Sequence, residues 1–268
     1  MKQVNDMMEV TSSQNALLKE IRSLARKKQR WDLKKFIVEG IKMVDEALDM
    51  DDLAVRVFFT ESLASTGKGE ELLNRLIGME NSVHMPEGLF NSISNMENSQ
   101  GVLATVTFSP NGIKGIPQDG ILLYLDGLQD PGNLGTVIRS ADAFGISGIV
   151  FGENCVDPYN PKVVRATMGS IFRVPLYFQK DGEDFFAQIS DKRRILATSL
   201  KDATPLDTIK FSNRDVIVIG NEGHGVSDAI IERSDLNIVI PMVGDAESLN
   251  AGVAASIIMY ETSREHFK

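Results

Sequence analysis

The second half of this chain limits the possible folds most. From Gly120 onward, short runs of three to five apolar residues alternate with stretches of helical spacing. Residues 121–125, 148–151, 174–178, 195–199, 216–219 and 237–240 read as strands, and 135–144, 161–168, 184–189, 228–233 and 249–264 as helices. Strands that are apolar on successive residues, rather than on alternate ones, are buried on both faces. Helices between them supply the crossovers that a parallel sheet requires. In such sheets a ligand sits at the carboxyl ends of the strands, so the loops that follow the strands are where chemistry is expected.

The first half alternates less regularly. Residues 12–29 read as one amphipathic helix with Leu17, Leu18, Ile21, Leu24 and Ala25 on its apolar stripe, capped by Ser12 or Ser13. Strands are expected at 36–38, 55–59, 82–85 and 102–108, and helices at 41–48, 70–77 and 86–93. The stretch SPNGIKGIPQD then gathers glycine, proline and polar residues. The expected organisation is a smaller α/β domain over residues 1–110, a linker over 111–119, and a larger parallel-sheet domain over 120–268.

Net charge is −9, which at first argues against a nucleic-acid partner. The distribution says otherwise: between Lys19 and Lys35 there are eight basic residues and two acidic ones. Arg26, Lys27, Lys28, Arg30, Lys34 and Lys35 are therefore candidates for contact with RNA phosphates. Trp31 among them is either a stacking surface for a base or an ordinary core residue. A single cysteine, Cys155, excludes an internal disulfide, and three scattered histidines suggest no metal site. No apolar run approaches the roughly 20 residues of a membrane span, and the first ten residues do not read as a secretion signal. A reduced, cytoplasmic, metal-free protein is expected.

Three loop blocks are richer in glycine and polar residues than plain connections need. In DGLQDPGNLGTVIR, Pro131-Gly132 reads as a turn and Asn133 or Thr136 as the start of the helix, with Arg139 near its N-terminal end. A cation there opposes the helix dipole unless an anionic ligand or a partner such as Asp142 accompanies it. In VIVIGNEGHGVS, Gly220, Gly223 and Gly225 allow close backbone approach to a ligand, while Glu222 is either a ligand contact or a cap. Neither a Gly-Lys-Ser/Thr P-loop nor a G-x-G-x-x-G fingerprint is present. In IPMVGDAESLNAGVAAS, Ser248 and Asn250 stand where the last helix begins, as caps or as ligand contacts.

These three blocks, in this order, resemble the signature motifs of the SpoU (TrmH-like) RNA 2′-O-ribose methyltransferases of the SPOUT superfamily. The resemblance covers about residues 120–264; FIVEG at residues 36–40 and the strand from Gly101 resemble, less specifically, the RNA-substrate-binding domain found ahead of this fold. It implies a C-terminal parallel α/β domain with a deep trefoil knot, S-adenosyl-L-methionine as cofactor, RNA as substrate, and a homodimer whose active site is built across the subunit interface. Carried over by position, Arg139, Asn133, Glu222, Ser248 and Asn250 fall on the family's polar active-site positions. The cofactor pocket falls on Thr198, Ser199, Leu200, Gly220, Asn221, Gly223, Ile240, Pro241, Met242, Leu249 and Asn250. One departure is Ala251-Gly252, where the family pattern has valine and serine. The implied reaction is 2′-O-methylation of a ribose in structured RNA, ribosomal RNA ahead of tRNA, with a catalytically silent RNA-binding protein of the same fold as the alternative. Methyl transfer of this kind needs alignment and removal of a hydroxyl proton, and no metal. The family places Arg139 at the reacting hydroxyl. A guanidinium is a poor base, so phosphate binding and stabilisation of the developing alkoxide suit it better.

Overall fold

The computed structural model describes residues 8–179, 184–189 and 192–264. These divide into two compact units: the residues up to Ser109 together with Tyr159–Phe172, and Pro110–Pro158 together with the residues from Arg173 on.

The first unit holds β1 (Met8–Glu9), α1 (Ala16–Ser23), α2 (Lys27–Leu33), β2 (Lys35–Glu39), α3 (Ile41–Leu48), β3 (Val55–Phe59), α4 (Gly67–Leu76), β4 (Ser82–His84), α5 (Glu87–Asn91) and β5 (Val102–Thr107). The strands form one sheet in the order β1-β4-β3-β5-β2, antiparallel where β5 meets its two neighbours and parallel elsewhere. Leu18, Ile21 and Leu24 pack with Phe58, Val83, Phe90 and Leu103 in its core.

The single helix expected over 12–29 is two. Asn15 caps α1 by accepting from the Leu17 N–H. Leu24–Arg26 then breaks the run, because the Arg30 guanidinium donates to the carbonyl oxygens of Leu24 (2.8 Å) and Ala25 (3.0 Å). Those are the carbonyls that a helix end leaves unsatisfied. Arg30 is 3% exposed. Its expected role as an RNA contact is therefore corrected: its donors are turned inward to hold the α1–α2 corner.

The second unit begins with β6 (Asn111–Gly112) and β7 (Leu122–Leu125), followed by α6 (Pro131–Ala143) and β8 (Gly148–Phe151). The chain then contributes α7 (Pro161–Thr167) to the first unit. There Tyr159 stacks on Phe108 with ring centroids 3.8 Å apart, and Phe172 lies 6.3 Å from Phe36. Trp31 meets Phe108 edge-on at 5.4 Å in the same aromatic cluster, so it is a packing residue.

The second unit resumes with β9 (Leu176–Phe178), α8 (Phe185–Ile189), β10 (Arg194–Thr198), β11 (Thr204–Pro205), β12 (Asp215–Ile219), α9 (Asp228–Ile231), β13 (Leu236–Val239) and α10 (Ala251–Ser263). Its eight described strands form one sheet in the order β11-β13-β10-β12-β7-β8-β9-β6, and every pairing is parallel. β7 and β12 are buried at every residue, as parallel strands covered on both faces should be. In register, Leu122–Leu125 lies beside Val216–Ile219 on one side and Gly148–Phe151 on the other. The loops after β7, β12, β10 and β13 therefore open side by side at one sheet edge. Helices α6 and α10 pack along each other. Among the described residues, no helix is long and apolar enough to cross a membrane.

Helix α6 starts four residues before the expected 135. Asp130 accepts the Asn133 N–H (2.8 Å) and Pro131 occupies the first turn, where its missing N–H costs nothing. Pro131-Gly132 is thus the first turn of the helix and no separate turn. Arg139 becomes the ninth residue of thirteen, so the argument that it opposes the positive end of the helix does not hold.

Candidate functional site

The edge where the loops meet is organised by one carboxylate. Glu222, in the loop after β12, accepts the backbone N–H groups of Gln129 (3.1 Å) and Asp130 (2.9 Å) and the side-chain amide of Asn133 (3.0 Å). Asn133 in turn accepts from the Asn250 amide (2.7 Å), and Asn250 caps α10 through the Val253 N–H (3.1 Å). Three loops far apart in sequence are tied by one chain of hydrogen bonds. Partial burial pushes the Glu222 carboxyl up, but the bonds from Asn133 and from backbone amides outweigh it and hold the group below the usual carboxylate range. Asn133 is 7% exposed, so the network is sheltered at its centre.

The loop carrying Glu222 is itself stapled. Asn221 and Gly225 exchange two backbone hydrogen bonds of 2.9 Å, and the Asn221 side chain donates to the Gly127 carbonyl (2.8 Å). A β-carbon on Gly220 would stand 2.1 Å from the Gly225 carbonyl carbon and 2.2 Å from the Val226 nitrogen, so only glycine fits there. Asp126, at the end of β7, accepts the Ser227 N–H (2.7 Å) and closes the loop from its other side.

Beside this network lies a cleft of about 620 Å³, within the ~300–1,000 Å³ range of small-ligand pockets. Of the residues expected to hold a cofactor, Thr198, Ser199, Leu200, Gly220, Asn221, Gly223, Ile240, Met242 and Leu249 line it, as do Glu222 and Ser248. Pro241 is flanked by two lining residues without lining it, and Asn250 faces Asn133 instead. Sequence reasoning passed over Ile219, Ile238 and Ile258, which with Ala254 give the cleft its apolar wall. Ala254 and Ile258 stand four apart on α10, a spacing that was visible. It also passed over His224, whose Nδ1 lies 3.3 Å from the Asn221 Oδ1. Three acids, Glu222, Asp228 and Glu247, line the cleft against one lysine, Lys201. An apolar wall with an acidic rim suits a ligand that joins a flat heterocycle to a cationic group.

Arg139 is exposed on α6 and makes no side-chain hydrogen bond or ion pair with any described residue. Asp142, its expected alternative partner, takes two hydrogen bonds from Arg173 (2.9 and 2.7 Å). In the first unit Arg26, Lys27 and Lys28 are exposed. Lys35 is paired with Glu20 at 2.7 Å, and Lys34 lies over the Trp31 ring at 5.1 Å from its centroid.

Residues 120–260, more than half the chain, match the model of the SpoU rRNA Methylase family. The chain belongs to that family. Residues 15–104 match a second model, the MRM3-like substrate binding domain. The 23S rRNA (guanosine(2553)-2′-O)-methyltransferase RlmP of Bacillus subtilis is 29% identical over 95% of this chain and 98% of its own length. The 23S rRNA (uridine(2479)-2′-O)-methyltransferase of Streptomyces viridochromogenes is 28% identical over 95% and 91%. The AdoMet-bound crystal structure of an rRNA methyltransferase from Sinorhizobium meliloti superposes with a TM-score of 0.84 at 30% identity, covering 97% of this chain and 98% of that one. In this SpoU chain the three signature loops are the three joined through Glu222, Asn133 and Asn250.

Proposed function

We propose that this protein transfers a methyl group from S-adenosyl-L-methionine to a ribose 2′-hydroxyl of ribosomal RNA. The observation that carries the reading is the Glu222–Asn133–Asn250 network bordering an apolar, acid-rimmed cleft at the carboxyl edge of a parallel sheet. The relatives named for 2′-O-methylation of 23S rRNA match nearly the whole chain, the first half included. Those two act on different nucleosides, guanosine and uridine, so the target base is set outside what they share.

When bound, S-adenosylmethionine supplies an electrophilic methyl on sulfur. The residues that would hold it are Thr198–Leu200, the loop from Gly220 to Gly223, Ile240–Met242 and Leu249, with the apolar wall against the heterocycle and Glu222, Asp228 and Glu247 toward the positive charge. Glu222 keeps the Asn133 amide fixed, and Asn133 fixes Asn250; Asn133 and Ser248 then orient the ribose. Arg139 carries the planar fork of N–H donors that matches a phosphate. It binds the phosphate next to the reacting ribose through paired N–H bonds and stabilises negative charge as the hydroxyl gives its proton to solvent and its oxygen takes the methyl group.

The same reading includes a division of labour: residues 1–110 bind RNA, and 120–268, apart from the α7 segment that packs in the first unit, form the catalytic domain with its deep knot, with 111–119, which add β6 to the second sheet, leading into it. It also includes a homodimer and a cytoplasmic location. Helix α10 supports the dimer. It buries Gly252, Ala255, Ile258 and Met259, yet it also exposes Val253 (45%) and Ile257 (36%). A helix apolar on nearly every side is normally covered on every side. In a dimer with an active site shared across the interface, Arg139 serves the cleft of the second copy, which accounts for its standing outside the network of its own chain.

The test is Arg139→Ala. Transfer of radiolabelled methyl to 23S rRNA should fall by at least ~100-fold, the scale of losing one charge-stabilising donor. Calorimetric affinity for S-adenosylhomocysteine should be kept. Methylation at the wild-type rate would remove Arg139 from the reaction, and absence of S-adenosylhomocysteine binding by the wild-type protein would remove the function itself.

A further inference from the structure

Helix α7 lies within the stretch that matches the methylase family, yet it packs in the first unit against β2. Beside it runs a groove of about 270 Å³. The floor is apolar, with Ile37 from β2, Met43 from α3 and Val164 from α7. One wall carries Lys162 and Arg165. Both are exposed, and neither forms an ion pair with a described residue.

The single acid lining this groove is Glu39. Its oxygens accept a short hydrogen bond from the Ser94 hydroxyl, one from the Asn95 N–H (3.0 Å) and one from the Ser99 hydroxyl (3.4 Å). Its charge is thus solvated by the loop that holds Ser94, Asn95 and Ser99, and the two cations are left for a ligand. Ala25 reaches the groove from the α1–α2 corner, and the exposed Arg26, Lys27 and Lys28 follow it directly. In a chain of net charge −9, the cations that line this groove are Lys162 and Arg165, and three more follow in sequence directly after Ala25 at its margin.

We propose that this groove is an RNA-binding site, in which Lys162 and Arg165 hold backbone phosphates while Ile37, Met43 and Val164 receive the face of one nucleotide. Its volume lies just below the ~300–1,000 Å³ of pockets that enclose small ligands, so it takes one unstacked nucleotide and not a duplex. Single-stranded loops are the RNA elements whose bases are free to leave the stack. RNA as the ligand rests on the methyltransferase reading above. The groove adds that α7, although inside the methylase match, belongs to the substrate-recognition surface.

The experiment compares the full-length wild-type protein with Lys162→Gln/Arg165→Gln and with Lys162→Glu/Arg165→Glu. Filter binding to a 23S rRNA transcript is read between about 50 and 200 mM salt. The neutral pair should bind about tenfold more weakly, with the slope of log affinity against log salt reduced by about one for each cation removed. The reversed pair should bind more weakly still. Affinity for S-adenosylhomocysteine and melting temperature should match the wild type in both. RNA affinity and salt slope within twofold of wild type would overturn the proposal, as would equal weakening of S-adenosylhomocysteine binding, which would mark a general defect. Wild-type protein that binds the transcript but transfers no methyl group would instead count against the function above, and the groove would still be judged by its own variants.

Discussion

Glu222 is an acid whose nearest partners are amides rather than cations. Its carboxylate is held below its ordinary value of 4.5 by hydrogen bonds that favour the charged form. A depressed folded value contributes stability above the unfolded one and loses it as pH falls through the folded one. Glu222→Gln should therefore melt lower than wild type near neutral pH, and the gap should close on acidification below about pH 4.5. Paired melting curves from about pH 3.5 to 7 check this; a gap that widens in acid would refute it. The sequence marked Glu222, Asn133 and Asn250 as polar residues in glycine-bearing loops. That they bond to one another was not legible, because the contacts cross about 90 to 117 residues of chain. Arg30 was misread for a related reason: counting cations registers charge but not the direction in which a guanidinium points.

At the scale of elements, the parallel strands were legible because burial on both faces leaves unbroken apolar runs, and those positions moved by no more than two residues. Helix starts were less legible, since a cap is a single side chain competing with its neighbours. Asp130 opens α6 in a position where Asn133 and Thr136 carry the same chemistry. The two-residue strands β1, β6 and β11 carry too few residues to show any period. The tight bend after β12 is a different constraint, steric and local. Gly220→Ala would drive a methyl group into the Gly225–Val226 backbone, which has no side-chain freedom with which to yield. A loss of ~1–3 kcal/mol is expected, the usual effect of overpacking, together with weaker S-adenosylhomocysteine binding as Asn221 and Glu222 shift. Thermal melts and calorimetry on the variant read both; unchanged values in both would mean that the loop relaxes and is not a rigid frame.

At the scale of the whole molecule, one long helix leaves an apolar face uncovered. Val253 and Ile257 stand four residues apart on α10, and Tyr260, edge-on to Phe144 with ring centroids 5.9 Å apart, continues the face at 48% exposed. The opposite face of the same helix is locked onto α6: Gly252 comes so near Asn133 that a β-carbon there would lie 3.2 Å from its backbone. The outer face is therefore carried on a rigid element next to the Asn133–Asn250 pair, where covering it would also complete the site. The residues of α10 alone do not tell this, because an apolar helix reads the same whether its own chain or a second copy covers it; the homodimer is what the family resemblance implies. Ile257→Glu places a charge on the outer face without touching the inner one. It should leave each chain folded but shift sedimentation velocity from dimer to monomer at micromolar concentration. Methyl transfer should fall with it if, as proposed, Arg139 serves the cleft of the second copy, whereas Arg139→Ala should lose transfer without changing the sedimentation. If wild type and Ile257→Glu both sediment as monomers and methylate RNA equally well, the shared site is refuted and Arg139 must act within its own chain.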